Sequence, residues 1–87
     1  MNIQAKAYPN PFSSSFSVEV RCDVETQVVF RLYNDSGNLM KMTYWKLLKG
    51  NNKLMLDSLH NLAIGLYIIE IKNEDNQVLH KFELQKN

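Results

Sequence analysis

The sequence predicts an all-β domain, a small antiparallel immunoglobulin-like β-sandwich of about seven strands. Three observations carry that prediction. Apolar side chains recur with a period of two in run after run, the spacing of strands that bury one face. Clusters of Gly, Asn, Asp and Ser interrupt these runs roughly every 8–12 residues. No segment shows a helical period, and at most one helical turn fits near Ser58 to Leu62. The 87 residues fit one domain and leave no room for a second core. An apolar content of 45% is enough for a packed interior and argues against disorder.

Taken in order, Ile3 to Ala7 reads either as a first edge strand or as a linker remnant spanning residues 1–7, ahead of a domain over residues 8–87. Tyr8-Pro9-Asn10-Pro11 cannot lie inside a sheet, because two prolines remove two backbone donors. Ser13 to Ser15 is a polar spacer. Phe16, Val18, Val20 and Cys22 then alternate with Ser17, Glu19 and Arg21, a strand with one dry and one wet face. Gln27 to Tyr33 follows, with Val28, Phe30 and Leu32 on one side. Asn34 to Asn38, with Asp35 and Gly37 at its centre, is a strong turn signal. Leu39 to Leu48 completes a hairpin with the preceding strand.

Lys49 to Asn52 reads as the next turn, and Lys53 to Asp57 as a short strand with Leu54 and Leu56 inward. Leu66 to Ile71 is the most strand-like run of the chain, rich in β-branched and aromatic residues. Gly65 stands where the chain reverses into it, a position where glycine permits positive φ or close backbone approach. Tyr67 is placed to form a tyrosine corner, its hydroxyl tying down the preceding loop. Asn73 to Asn76 turns the chain again. Val78 to Leu84 closes the fold, with Val78, His80, Phe82 and Leu84 on one face.

Composition removes several function classes. A net charge of +1 with interspersed signs offers no basic patch for a phosphate backbone, so no nucleic-acid partner is expected. No apolar run approaches the ~18 residues of a membrane helix, so no membrane insertion is expected. The first seven residues lack a signal-peptide core. Cys22 is alone, so no internal disulfide is available, and it reads as a small buried residue at a strand end. His60 and His80 have no Cys or acid at metal-ligand spacing, and the three glycines form no phosphate-cradling loop. Ser36, His60 and Asp57 permit a triad only in the sense that common residues always do. Neither catalysis nor a cofactor is expected.

Asp35, Asp57 and Asp75 sit in turns, where they are expected to cap backbone N–H groups; a structural calcium ion is the alternative. Tyr44 and Trp45 could suggest a sugar-binding platform, but neighbours on a strand face opposite sides, and packing is the expected role. Asn34-Asp35-Ser36 fits an N-glycosylation sequon and reads more simply as a turn.

Four blocks together resemble a known family, the C-terminal sorting domain of type IX secretion cargo proteins, also called the Por secretion system. Tyr8-Pro9-Asn10-Pro11-Phe12 resembles its opening signature. Val29 to Gly37 resembles its block of a hydrophobic strand followed by a Tyr-Asp-x-x-Gly turn, with Asn34 preceding the Asp. Leu56 to Leu59 and Leu62 to Ile69 resemble its Leu-Ala-x-Gly-x-Tyr block, and Lys81 to Lys86 its basic last strand.

The resemblance implies a non-catalytic signal that carries a periplasmic cargo across the outer membrane to the cell surface or beyond. The implied partners are the outer-membrane translocation machinery, a surface sortase that removes the domain, and a cargo domain upstream in the same chain. The signal peptide is then expected upstream of the cargo. Recognition is expected on Gly65, Tyr67, Lys81, Phe82, Leu84 and Lys86; Gly65 and Tyr67 are more simply read as residues the fold needs, and Lys86 as a solvated basic terminus that the last strand presents to a partner. Within the entry motif of Tyr8, Pro9, Asn10 and Pro11, the two prolines are expected to block edge pairing and to position the cargo linker, and Asp35 and Gly37 form the turn motif. The alternative is an accessory sandwich that binds carbohydrate or an adhesive partner.

Overall fold

In a computed structural model that describes residues 3–87, the chain forms seven strands, and no helix occurs among the described residues. They are β1 (Ile3–Tyr8), β2 (Phe16–Cys22), β3 (Thr26–Asn34), β4 (Leu39–Leu47), β5 (Gly50–Leu56), β6 (Gly65–Asn73) and β7 (Val78–Lys86). One sheet has the order β1-β2-β5 and the other β4-β3-β6-β7, with every neighbouring pair antiparallel. The all-β sandwich predicted from the sequence is the fold observed. Met1 and Asn2, the start of the stretch read as strand or linker, lie outside the described residues. From Ile3 onward that stretch is the edge strand beside β2.

The period-two pattern decides which sides meet. Phe16, Val18, Val20 and Cys22 of β2 are buried, as are Val28, Phe30 and Leu32 of β3 and Tyr67, Ile69 and Ile71 of β6. A one-residue slip in any of these strands would turn its whole apolar set to water, so burial fixes the register. Each fully buried large side chain contributes about 1.5–3 kcal/mol by leaving water. Trp45 packs against the core from β4 while Tyr44 points out to solvent, the opposite orientation expected of neighbours.

Several details differ from the sequence reading. β5 begins at Gly50 rather than Lys53, because Asn51 and Asn52 pair with Arg21 and Val20. The turn is instead closed by the Asn52 side chain, which accepts from Leu48 N (2.8 Å) and donates to Leu48 O (2.9 Å). In β7 the pairing shifts between Ile71↔His80 and Lys72↔Val78, a bulge at Leu79. Leu79 therefore packs against the core and Val78 is exposed, the reverse of simple alternation.

The capping side chains in the two hairpin turns are Asn34 and Asn73, not Asp35 and Asp75. Asn34 Oδ1 accepts from Ser36 N and Asn38 N, and Asn73 Oδ1 from Asp75 N and Gln77 N, all within 3.0 Å. In the same place of each turn stands a left-handed residue, Gly37 (φ 86°) and Asn76 (φ 64°). Cys22 is a buried free thiol whose Sγ donates to Leu48 O at 3.1 Å.

Candidate functional site

Antiparallel pairing gathers the four signature blocks at one end of the sandwich. Asn34 pairs with Tyr67, Tyr67 with Leu84, and Gly65 with Lys86 in the larger sheet. Tyr8 pairs with Ser17, and Phe16 with Leu56, at the same end of the smaller one. Leu59 N donates to Ser14 O (2.9 Å), joining the corner loop to the opening segment. The turn with Asp35 and Gly37, the opening segment, the corner loop and the last strand therefore share one pole.

The corner follows the sequence reading. Gly65 has φ 153°, a conformation that side-chain-bearing residues rarely adopt, although a Cβ there would meet no atom within 4 Å. The backbone, not crowding, is what requires glycine. Two residues on, the buried Tyr67 donates its hydroxyl to Ala63 O at 2.7 Å, pulling the loop back onto the strand it enters. Ile64, at the tip of this corner, is 78% exposed.

The opening segment does more than block an edge; it occupies one. β7 is the outermost strand of its sheet, and the Asn10–Phe12 stretch hydrogen bonds along its final third. Phe12 N donates to Gln85 O (2.9 Å) and Asn87 N to Phe12 O (2.8 Å), a single parallel bridge between Phe12 and Lys86. Asn10 extends it with its side chain. Oδ1 accepts from Gln85 N at 2.9 Å, and Nδ2 reaches Glu83 O at 3.5 Å. Between two prolines without N–H groups, an amide side chain can replace the missing backbone pairing. Both Tyr8-Pro9 and Asn10-Pro11 are cis. The Phe12 ring is wholly buried, edge-on to Phe16 (5.0 Å) and to Tyr67 (6.1 Å). This clasp was missed in the sequence, where only the lone Asn between prolines and the large apolar residue after them signalled it.

Tyr8 anchors the segment from the other sheet. Its hydroxyl donates to the Glu19 carboxylate, and Lys6 and Lys53 lie over its ring at 5.8 and 5.9 Å. That hydrogen bond is the main reason that Glu19 titrates below the usual carboxylate range and Tyr8 above the usual phenol range, with Lys6 and Lys53 reinforcing the carboxylate.

The residues expected at a recognition surface fall into two groups. Tyr67, Leu84 and Lys86 are buried, Lys86 to 6% exposure with its ammonium on Asn87 O at 2.7 Å. Lys86, read as part of a basic terminus presented to solvent, is thus folded inward, its backbone bridged to Phe12 and its ammonium held on Asn87 O. Phe82 is half-buried beside His80, with ring centroids 4.5 Å apart. Lys81, Pro9, Asn10, Pro11, Asp35 and Gly37 are exposed, and Gly65 is intermediate. Among the described residues no group of three or more His, Cys, Asp or Glu is placed to hold a metal ion. Ser36, Asp57 and His60 are all solvent-exposed.

A family model described as the secretion system C-terminal sorting domain matches residues 6–85, a span that takes in the opening signature, the turn, the corner and most of the last strand. The chain belongs to that family. It is a sorting signal of type IX secretion, and such a signal directs export toward the cell surface or the extracellular space. Among curated proteins none matches the sequence.

The sorting domain is similar in fold to a segment of a β-glucosidase from Listeria innocua in complex with glucose. The TM-score is 0.58 and the identity 17%, over 99% of this chain and 16% of that one. A GH3 β-glucosidase from Bifidobacterium adolescentis gives a TM-score of 0.50 and 12% identity, over 97% and 16%. At such identities the likeness shows the fold alone. The sorting domain spans about a sixth of each enzyme's length (16%).

Proposed function

We propose that the signature pole of this sorting domain is what the outer-membrane translocation machinery reads, after a cargo joined ahead of it has entered the periplasm. A surface sortase then removes the domain, and the cargo is released or anchored outside. The observation that carries this reading is the convergence of all four signature blocks on one pole, with the opening segment hydrogen bonded to the last strand. Within that pole the roles divide by exposure. Tyr67, Leu84 and Lys86 hold the shape from inside, as does Phe12. Pro9, Pro11 and the exposed Ile64 offer the contacts at the pole, and Lys81, opposite Glu70 midway along β7, extends them up the last strand, with Gly65 setting the path of the corner.

The test is a passenger protein with a signal peptide, fused ahead of Asn2 in a host with type IX secretion. The intact domain should deliver the passenger to the surface, and deletion of Lys81 to Asn87 should strand it in the periplasm. Because that deletion also opens the clasp, Lys81→Glu and Ile64→Ser are the companion variants. Both should melt like the parent and deliver less. Delivery unchanged by the deletion and by both substitutions would contradict recognition at this pole.

A further inference from the structure

The edges of the two sheets are not protected alike. On one flank β1 packs beside β7, and Asn10 and Phe12 bond to the end of β7. The opposite flank carries the edges of β4 and β5. The sheet β1-β2-β5 is one strand narrower than its partner, so the start of β4 overhangs it. Leu39, Met40, Lys41 and Met42 are in consequence exposed on both faces, a start that no other strand has. An uncovered edge of this kind is a template for a further strand.

Alternation of the ladder bonds fixes which backbone groups of β4 lie open. Asn34 N donates to Asn38 O across the hairpin turn, so the even residues of β3 bond to β4 and the odd ones to β6. Lys41, Thr43, Trp45 and Leu47 oppose even residues and turn their backbone groups to β3. Met42, Tyr44 and Lys46 turn theirs outward, where no strand among the described residues meets them. The same alternation carried through β6 and β7 turns Gln85 outward, and there Asn10 and Phe12 do bond to it.

We infer that the open edge of β4 pairs antiparallel with β4 of a second copy of this chain, with Tyr44 on the two-fold axis. A bulge at Met40 limits the regular edge to residues 41–47, and Tyr44 is the middle of that stretch. Pairing centred there sets Tyr44 against Tyr44 and Met42 against Lys46 on both sides of the axis. Each outward residue then gains a partner for its N–H and its C=O. The strand suits this occupant. Its charged residues, Lys41 and Lys46, come to oppose Leu47 and Met42, so no like charges face each other. Lys46 is neutralised besides by Glu25 of its own copy at 3.0 Å. Met42 and Tyr44, 41% and 70% exposed, meet diagonally across the axis on the outward face. A net charge of +1 leaves little repulsion between copies. The neighbouring edge of β5 lacks this fit, because pairing centred on Gly50–Leu56 sets Lys53 against Lys53.

Sedimentation of the 87-residue chain over a concentration series should show a monomer–dimer equilibrium. The amides of Met42, Tyr44 and Lys46 should exchange fast in dilute solution and gain protection at high concentration, while those of Thr43 and Trp45 are protected in both. Tyr44→Lys, at an exposed position, should melt like the dilute parent. It should weaken association by at least about tenfold, because it sets lysine against lysine on the axis. Under oxidation Tyr44→Cys should form a disulfide dimer, since a hydrogen-bonded pair stands at ~5.5 Å between Cα atoms, an ordinary span for that bond. Met55→Cys, at a 60% exposed position on β5, is the control and should stay monomeric. A parent that remains monomeric up to about millimolar concentration overturns the pairing. So does a dimer that Tyr44→Lys leaves intact, or a Met55→Cys dimer that forms as fast as the Tyr44→Cys one. The pairing needs neither passenger nor machinery, so its failure leaves the sorting reading untouched.

Discussion

Replacing Phe12 with alanine probes how firmly the opening segment belongs to the sandwich. Its ring is 0% exposed and sits edge-on to Phe16 at 5.0 Å. Removing about 150–200 Å² of buried aromatic surface at ~25 cal/mol/Å² costs about 4–5 kcal/mol. The edge-on pair adds ~0.5–1.5 kcal/mol. Relaxation of a segment near the chain end, and a denatured state that already buries some apolar surface, subtract from this. A net loss of about 3–4 kcal/mol is expected, against a total of roughly 4–13 kcal/mol for a domain of this length.

Urea unfolding followed by Trp45 fluorescence would measure it directly, and the midpoint of thermal unfolding should fall by about 15–30 °C. Hydrogen exchange adds a local readout. The amides of Gln85 and Asn87, which donate to Asn10 Oδ1 and Phe12 O, should lose protection first. A variant within about 1 kcal/mol of the parent, with those amides still protected, would refute the clasp as a structural element.

Gly65→Val should destabilise by more than about 1 kcal/mol, through backbone conformation alone, since space for the side chain is open. If it melts like the parent but fails to sort, Gly65 is a contact residue. Tyr67→Phe should cost about 0.5–1.5 kcal/mol by releasing Ala63 O, and a melt equal to the parent's would remove the corner from the account. Glu19 should titrate by NMR below the ordinary carboxylate range and return toward it in Tyr8→Phe. Because its folded-state pKa is depressed, its contribution to stability is present above the unfolded value and fades as pH falls through the folded one. At this exposed position that contribution should be slight, and an acid-induced loss of stability equal in parent and Tyr8→Phe is compatible only with another carboxylate as its source.

The strands were legible where burial enforces a period of two, as in Phe16 to Cys22 and Gln27 to Tyr33, because a slip there would expose the core. The tyrosine corner was legible because glycine and tyrosine each do something that few other residues can do at that spacing. Less legible were pairings that use side chains in place of backbone. Asn52 turned an apparent loop into the start of β5, and Asn34 and Asn73 took the capping role assigned to neighbouring aspartates. The bulge at Leu79 reversed which residue faces the core, and nothing in Val78-Leu79-His80 announces it. The clasp joins residues seventy-five positions apart, a contact that no local pattern can reveal. Lys86 looked like a solvated terminus for the same reason: its bridge to Phe12 is just as remote in sequence.

The most direct measurement is protease shaving of intact cells that express a passenger joined to these 87 residues. A folded sorting domain should place the passenger where external protease cleaves it in a host with type IX secretion, and should leave it protected in an otherwise identical host lacking that system. A passenger equally protected in both hosts, with the domain folded, would contradict the account.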